Sequence, residues 1–154
     1  MNLFELLKPE AVRVMHTASS KKRLLCSIAE IGQSVYGIDQ LKSVEALNER
    51  ENLGPTSVGN GVALPHARIQ DLDRVCGVFV LLEKPLEFRA VDHLPVDLFF
   101  TLFAPEHAGV EHLKALAAVS RTLREPSICA KLRANHDAAT LYTILTESQR
   151  TQAA

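Results

Sequence analysis

Of the six histidines in the 154-residue chain, one is delivered by an unusual run of residues. His66 closes the stretch Gly59-Asn60-Gly61-Val62-Ala63-Leu64-Pro65-His66, with Ala67 and Arg68 following. Gly59 and Gly61 allow positive φ or a close backbone approach, and Asn60 tolerates the left-handed region better than most residues. Such a run can turn several N–H groups toward one point, as a phosphate-cradling backbone does; a tight turn is the other reading. Val62-Ala63-Leu64 reads as a short apolar strand. Pro65 fixes its own φ and biases Leu64 toward extended geometry, which makes His66 the first residue beyond the strand. An imidazole presented there is a nucleophile near neutral pH, and a hydrogen-bonded structural histidine is the alternative.

Other chemistries find less support. There is no GxxxxGK[ST] and no GxGxxG, so a nucleotide site is not expected. His107 and Glu111 have i,i+4 spacing and stand beside His112, but no HExxH pattern occurs and no metal is expected. A hydrolase using His66 as base lacks a visible Ser or Cys nucleophile motif. Cys26, Cys76 and Cys129 are an odd, scattered set, better read as buried thiols in a reducing cytosol than as a disulfide framework or zinc knuckle.

The elements that must position His66 follow from periodicity. Ser19 or Ser20 can cap a helix carrying Leu24, Leu25, Ile28, Ile31 and Val35, with Gly37 as its stop. Asp39 can cap a second, with Leu41, Val44 and Leu47 apolar. Val75–Leu82 and Asp97–Phe103 are β-branched or aromatic apolar runs that predict buried strands, and Val12–Met15 is a weaker candidate. Glu83-Lys84-Pro85 and 92–95 read as connections. From about Ala108 a helix carries Leu113, Leu116, Ala117, Val119 and Leu123. Pro126 opens another with Ile128 and Leu132, and Asp137 caps a third with Leu141, Ile144 and Leu145. Helices, then strands, then helices predict a single α/β (α+β) domain of three layers, its central mixed sheet covered by helices on both faces. The domain is expected over 1–147, with 148–154 a loose polar tail.

A formal charge of −1 gives no electrostatic argument for nucleic acid or an anionic membrane as partner. No basic-then-apolar leader and no apolar run of ~18 residues is found, so a soluble cytoplasmic protein is expected.

The run GNGVALPHAR resembles the active-site signature of the fructose/mannitol-type enzyme IIA domains of the bacterial phosphoenolpyruvate-dependent phosphotransferase system. The similarity continues through SKKRLL, NERENLG, GVFVLLEKPLEF, PVDLFFTL and EHLKALAAVSRTL in the same order, and is greatest to the nitrogen-regulatory members. It implies that His66 accepts a phosphoryl group from a small histidine-containing phosphocarrier protein, with Arg50 and His112 beside it. A planar guanidinium suits phosphate oxygens, although Arg50 could also be a solvated charge between Glu49 and Glu51. His112 falls in the first turns of its helix on the face of Leu116, Val119 and Leu123, where it can meet His66, the phosphate or a core carbonyl. Pro55 and Ala67 depart from the family pattern, which leaves Thr56 to supply any hydroxyl near the loop; Thr56, Gly59, Asn60 and Gly61 are the phosphate-loop candidates.

The resemblance implies no cofactor, since the donor brings the activated group. It implies a regulator whose protein targets sense its phosphorylation state. The alternatives are a sugar-specific enzyme IIA passing phosphate to a IIB domain, and a binding module of the same fold without phosphorylation.

Overall fold

In chain order the elements are α1 (Leu3–Leu6), β1 (Leu7–Met15), α2 (Lys21–Tyr36), α3 (Gln40–Leu53), β2 (Ser57–Gly59), β3 (Val62–Ala63), β4 (His66–Ile69), β5 (Cys76–Leu86), β6 (Val96–Pro105), α4 (Gly109–Leu123), α5 (Pro126–Arg133) and α6 (Ala138–Ala153). The computed structural model describes residues 1–153, with side chains through Glu147.

The two longest apolar runs form the middle of a mixed sheet. β5 and β6 pair antiparallel, with Cys76 opposite Phe103 and Leu81 opposite Leu98. β1 lies parallel to β5 on one side. On the other side of β6, β3 and then β4 pair with it in parallel, and β2 folds back antiparallel on β3. α2 packs on β1 and β5 and α3 on β4, while α4, α5 and α6 pack on β6, β5 and β1. Cover on both faces explains why Cys76 to Leu82 are all buried rather than alternating. Phe79, Phe99, Phe100 and Phe103 fill the centre.

Local signals set the helix ends. Ser20 accepts from the Arg23 amide and Asp39 from that of Lys42; Gly37, at φ 73°, closes α2. Asp137 accepts from the amide and hydroxyl of Thr140 at the start of α6.

Several expectations are corrected. Glu83-Lys84-Pro85 is not a connection but the end of β5. The register shifts between Leu81 and Leu86 and Lys84 N–H donates to His16 O, so Pro85 removes no ladder bond from a regular pair. Leu41 is exposed, and α3 instead buries the stripe Ser43, Leu47 and Glu51, one residue per turn with a charge at its end. In α4, Leu113 and Ala117 face solvent, and the buried stripe is His112, Ala115, Val119 and Leu123. The helical backbone of α6 continues over 148–153, where a loose tail was expected. That segment has no Gly or Pro to stop a helix; its side chains lie outside the described residues.

Candidate active site

Pro65 interrupts the strand without ending its lane. Pro65 has no N–H, but its carbonyl accepts from Leu102 N–H, and the chain resumes pairing with β6 at once: His66 stands opposite Leu102. His66 therefore opens β4 rather than a loop, which corrects the expected strand-end position. Along β4 burial alternates, with Ala67 and Ile69 turned inward and His66 and Arg68 sharing the outer face.

Both ring nitrogens of His66 are engaged. Nδ1 lies 2.9 Å from the Leu64 carbonyl oxygen, which can only accept, so Nδ1 carries the proton. Nε2 then has its lone pair outward, and Arg50 Nε donates to it at 3.2 Å. Arg50 comes from the last turn of α3, and its Nη1 donates to Gly54 O at 2.9 Å, which fixes the guanidinium plane. This is not the free solvated charge that its acidic neighbours in sequence allowed.

His112 comes from the first turns of α4 and is only 5% exposed. Its ring stands edge-on to that of His66, with centroids 5.5 Å apart. His112 Nε2 is buried without a hydrogen-bond partner among the described residues. Burial holds its pKa below the ordinary histidine value, and the neighbouring His66 ring and the Arg68 charge push the same way. The site thus holds two imidazoles with donors and positive charge around them, an arrangement that can receive an anionic group at His66 Nε2.

These residues line an open cleft of about 470 Å³. Leu53, Leu113 and Leu116 border it. Leu53 is 86% exposed and Leu113 67%, an apolar rim suited to contact with another protein. Arg68 also lines the cleft, its Nη1 donating to Glu106 O at 3.0 Å. It was not singled out from the sequence, although two-residue spacing from His66 is the signal that a continuing strand would have given.

The phosphate-loop candidates fall elsewhere. Gly59, Asn60 and Gly61 form the β2–β3 turn at the far end of β3, all with positive φ. Asn60 N–H donates to Asp92 Oδ2 and Asn60 O accepts from Arg133 Nη2, so the turn's polar groups serve the fold. Thr56 is buried behind the cleft, its hydroxyl and amide both donating to Glu51. The structure brings Arg50, His66 and His112 together and leaves these four outside. His107 is exposed outside the cleft, and Glu111 faces Lys114 at 4.0 Å.

Known proteins share this arrangement of elements. The crystal structure of nitrogen regulatory protein IIA-Ntr from Neisseria meningitidis superposes with a TM-score of 0.85 at 32% identity, covering 94% of this chain and 99% of that one. IIA mannitol from Escherichia coli shares the fold, with a TM-score of 0.77 at 19% identity over 90% and 97% of the two chains. In sequence, a nitrogen regulatory protein of Bradyrhizobium diazoefficiens is 42% identical over 145 residues, 94% of this chain and 95% of the relative. The family model described as phosphoenolpyruvate-dependent sugar phosphotransferase system, EIIA 2, matches residues 5–148, and the chain belongs to that family.

Proposed function

We propose that His66 Nε2 accepts a phosphoryl group from a small histidine-containing phosphocarrier protein, and that the phosphorylation state of this chain regulates target proteins. Membership of the family supports the coarser part, a phosphocarrier role in the phosphotransferase system. The observation that carries the finer part is the polarity of His66: Nδ1–H held by Leu64 O, and Nε2 turned toward Arg50 in an open, leucine-rimmed cleft.

The lone pair of Nε2 forms the new N–P bond as the N–P bond to the donor's imidazole breaks, its electron pair returning to that ring. No net proton transfer is needed, because His66 keeps its Nδ1–H throughout. Charge in such a transfer spreads over the equatorial oxygens, so positioning and electrostatics carry most of the catalysis. Arg50 offers Nε–H and a rigid fork to those oxygens once the phosphoryl group replaces its bond to Nε2. His112, whose buried Nε2 has no partner among the described residues, gains one there.

The product carries about 1.5–2 added negative charges within a leucine rim, which changes which protein surfaces that rim accepts. The similarity to nitrogen regulatory proteins favours this regulatory use over transfer to a sugar-specific IIB domain.

Intact-mass spectrometry under non-acidic conditions, after incubation with phosphoenolpyruvate, enzyme I and the phosphocarrier, tests the reading. One acid-labile phosphate is expected on the wild type and none on His66→Ala. Equal phosphorylation of the variant, or none on the wild type with donors shown active, overturns it.

A further inference from the structure

Glu51 directly follows Arg50 in the last turn of α3, and the two side chains go opposite ways. Arg50 turns out to His66; the Glu51 side chain turns in and is 5% exposed. A carboxylate so placed requires partners, and it has three. Lys21 Nζ, at the first position of α2, lies 2.7 Å from Oε2. The Thr56 hydroxyl donates to Oε1, and Thr56 N–H reaches Oε2 at 3.4 Å. Lys21 is itself fixed, over the Phe88 ring at 4.3 Å and within 3.4 Å of Phe88 O.

From Thr56 the contacts continue to the nucleophile. Thr56 O accepts from Leu64 N–H at 3.0 Å, and Leu64 O accepts from His66 Nδ1–H at 2.9 Å. Leu64 lies in the gap between β3 and β4, where neither it nor Pro65 is a ladder residue of β6. Leu64 N–H bonds Thr56 O on one side, and on the other Pro65 O accepts from Leu102 N–H, so the Leu64 carbonyl is held between Thr56 and β6. Which imidazole nitrogen carries the proton is decided by what each one bonds, so this carbonyl at Nδ1 selects the same tautomer as the Arg50 N–H at Nε2.

We infer that Glu51 is a positioning residue that holds His66 in its Nδ1–H tautomer through Thr56 and the Leu64 carbonyl. Consecutive residues of one helix turn thus grip the two sides of one ring, Arg50 directly at Nε2 and Glu51 at Nδ1 through four hydrogen-bonded groups. The catalytic meaning of that tautomer rests on the acceptor reading given above, but the tautomer itself does not.

The test measures the ¹⁵N resonances of the His66 ring in the free protein, and the phosphorylation rate at saturating donor. Both are taken for wild type, Glu51→Gln, Thr56→Val and Thr56→Ser. The wild type should show a protonated Nδ1 and an unprotonated Nε2. In Glu51→Gln and Thr56→Val part of His66 should carry its proton on Nε2, and the rate should fall on the order of tenfold to a hundredfold, the usual loss when an orienting partner is removed. KM for the donor should not change, and Thr56→Ser should restore both readouts. If Glu51→Gln does not fold, Thr56→Val decides alone, since it keeps the β-branched shape and removes only the hydroxyl. Unchanged ring resonances in a folded Thr56→Val, or a wild type protonated at Nε2, overturn the inference. Absence of any phosphorylation of the wild type overturns the acceptor reading instead and leaves the resonance measurement decisive for this one.

Discussion

The imidazoles of His66 and His112 stand edge-on with centroids 5.5 Å apart, and among the described residues only His66 of the two has hydrogen-bond partners at both nitrogens. Burial, first, and then the neighbouring His66 ring and the Arg68 charge lower the His112 pKa below the ordinary 6.5 and favour its neutral form. The unfolded chain therefore binds a proton at His112 before the folded one does. Above the ordinary value the two states are alike in protonation; as pH falls below about 6.5 toward the lowered value, folding stability is lost. The unfolding midpoint of the wild type should drop more between about pH 7 and pH 5 than that of His112→Gln. Equal drops in a pH series of thermal unfolding would exclude His112 from the acid sensitivity. Arg68→Gln should move the His112 pKa back upward in an NMR titration, because one of the charges opposing protonation is gone.

Arg50 cannot be replaced by lysine on these grounds. Its Nε meets His66 Nε2 while Nη1 holds Gly54 O, two directed donors on one rigid plane. A lysine ammonium brings the charge but neither the plane nor both bonds. Arg50→Ala should slow phosphoryl transfer by about a hundredfold or more, the scale for losing one preorganised donor to a developing anion. Arg50→Lys should recover only part of that. Rapid-quench measurement of a single turnover checks both, and a lysine variant at the wild-type rate would show that charge alone suffices.

What the sequence disclosed depended on how local each signal was. Ser20, Gly37, Asp39 and Pro126 act on residues one to four positions away, and their helices begin and end at them. Cys76–Leu82 was legible because a strand buried on both faces has no polar alternation to conceal it. Glu51 was not: in Asn48-Glu49-Arg50-Glu51-Asn52 every side chain is polar, and only the third dimension shows which one turns inward to Lys21. The glycine turn misled for a related reason. Positive φ is readable from Gly-Asn-Gly, but what the Asn60 N–H and C=O bond is set by Asp92 and Arg133, 32 and 73 residues away. Arg68 was passed over because Pro65 signals a strand's end, whereas the lane beside β6 resumes at the next residue.

The leucine rim makes a prediction about binding alone. Leu113 is 67% exposed and borders the cleft, so its side chain contributes little to the core. Leu113→Asp should leave the unfolding midpoint within experimental error, as surface changes usually stay within about 0.5 kcal/mol. It should raise KM for the donor protein while kcat changes little, because it removes contact made equally in the ground and transition states. Steady-state phosphorylation at graded donor concentrations reads this directly. An unchanged KM would place the donor's footprint elsewhere on the cleft.

Gly61 separates the turn's structural role from the chemistry of the cleft. Its φ is +77°, and an added Cβ would lie 2.6 Å from Arg133 Nη2 and 3.1 Å from Asp97 Oδ1. Arg133 cannot simply swing aside, for Nε and Nη2 both pair with the Asp97 carboxylate and Nη2 also donates to Asn60 O at 2.7 Å. Gly61→Ala should therefore destabilise by about 2–4 kcal/mol, combining left-handed backbone strain with a disrupted ion pair. Gly109→Ala, where nothing lies within 4 Å and φ is not positive, is the control and should change stability little. The rate at His66 gives the second readout. Val62 stands opposite Leu98 and His66 opposite Leu102, so the turn lies about 13 Å or more from His66 along the strand. At a temperature where Gly61→Ala is folded its phosphorylation rate should match the wild type, as expected when the Asn60 amide holds Asp92 and not a phosphoryl group. A rate defect in the folded variant would return the turn to the active site.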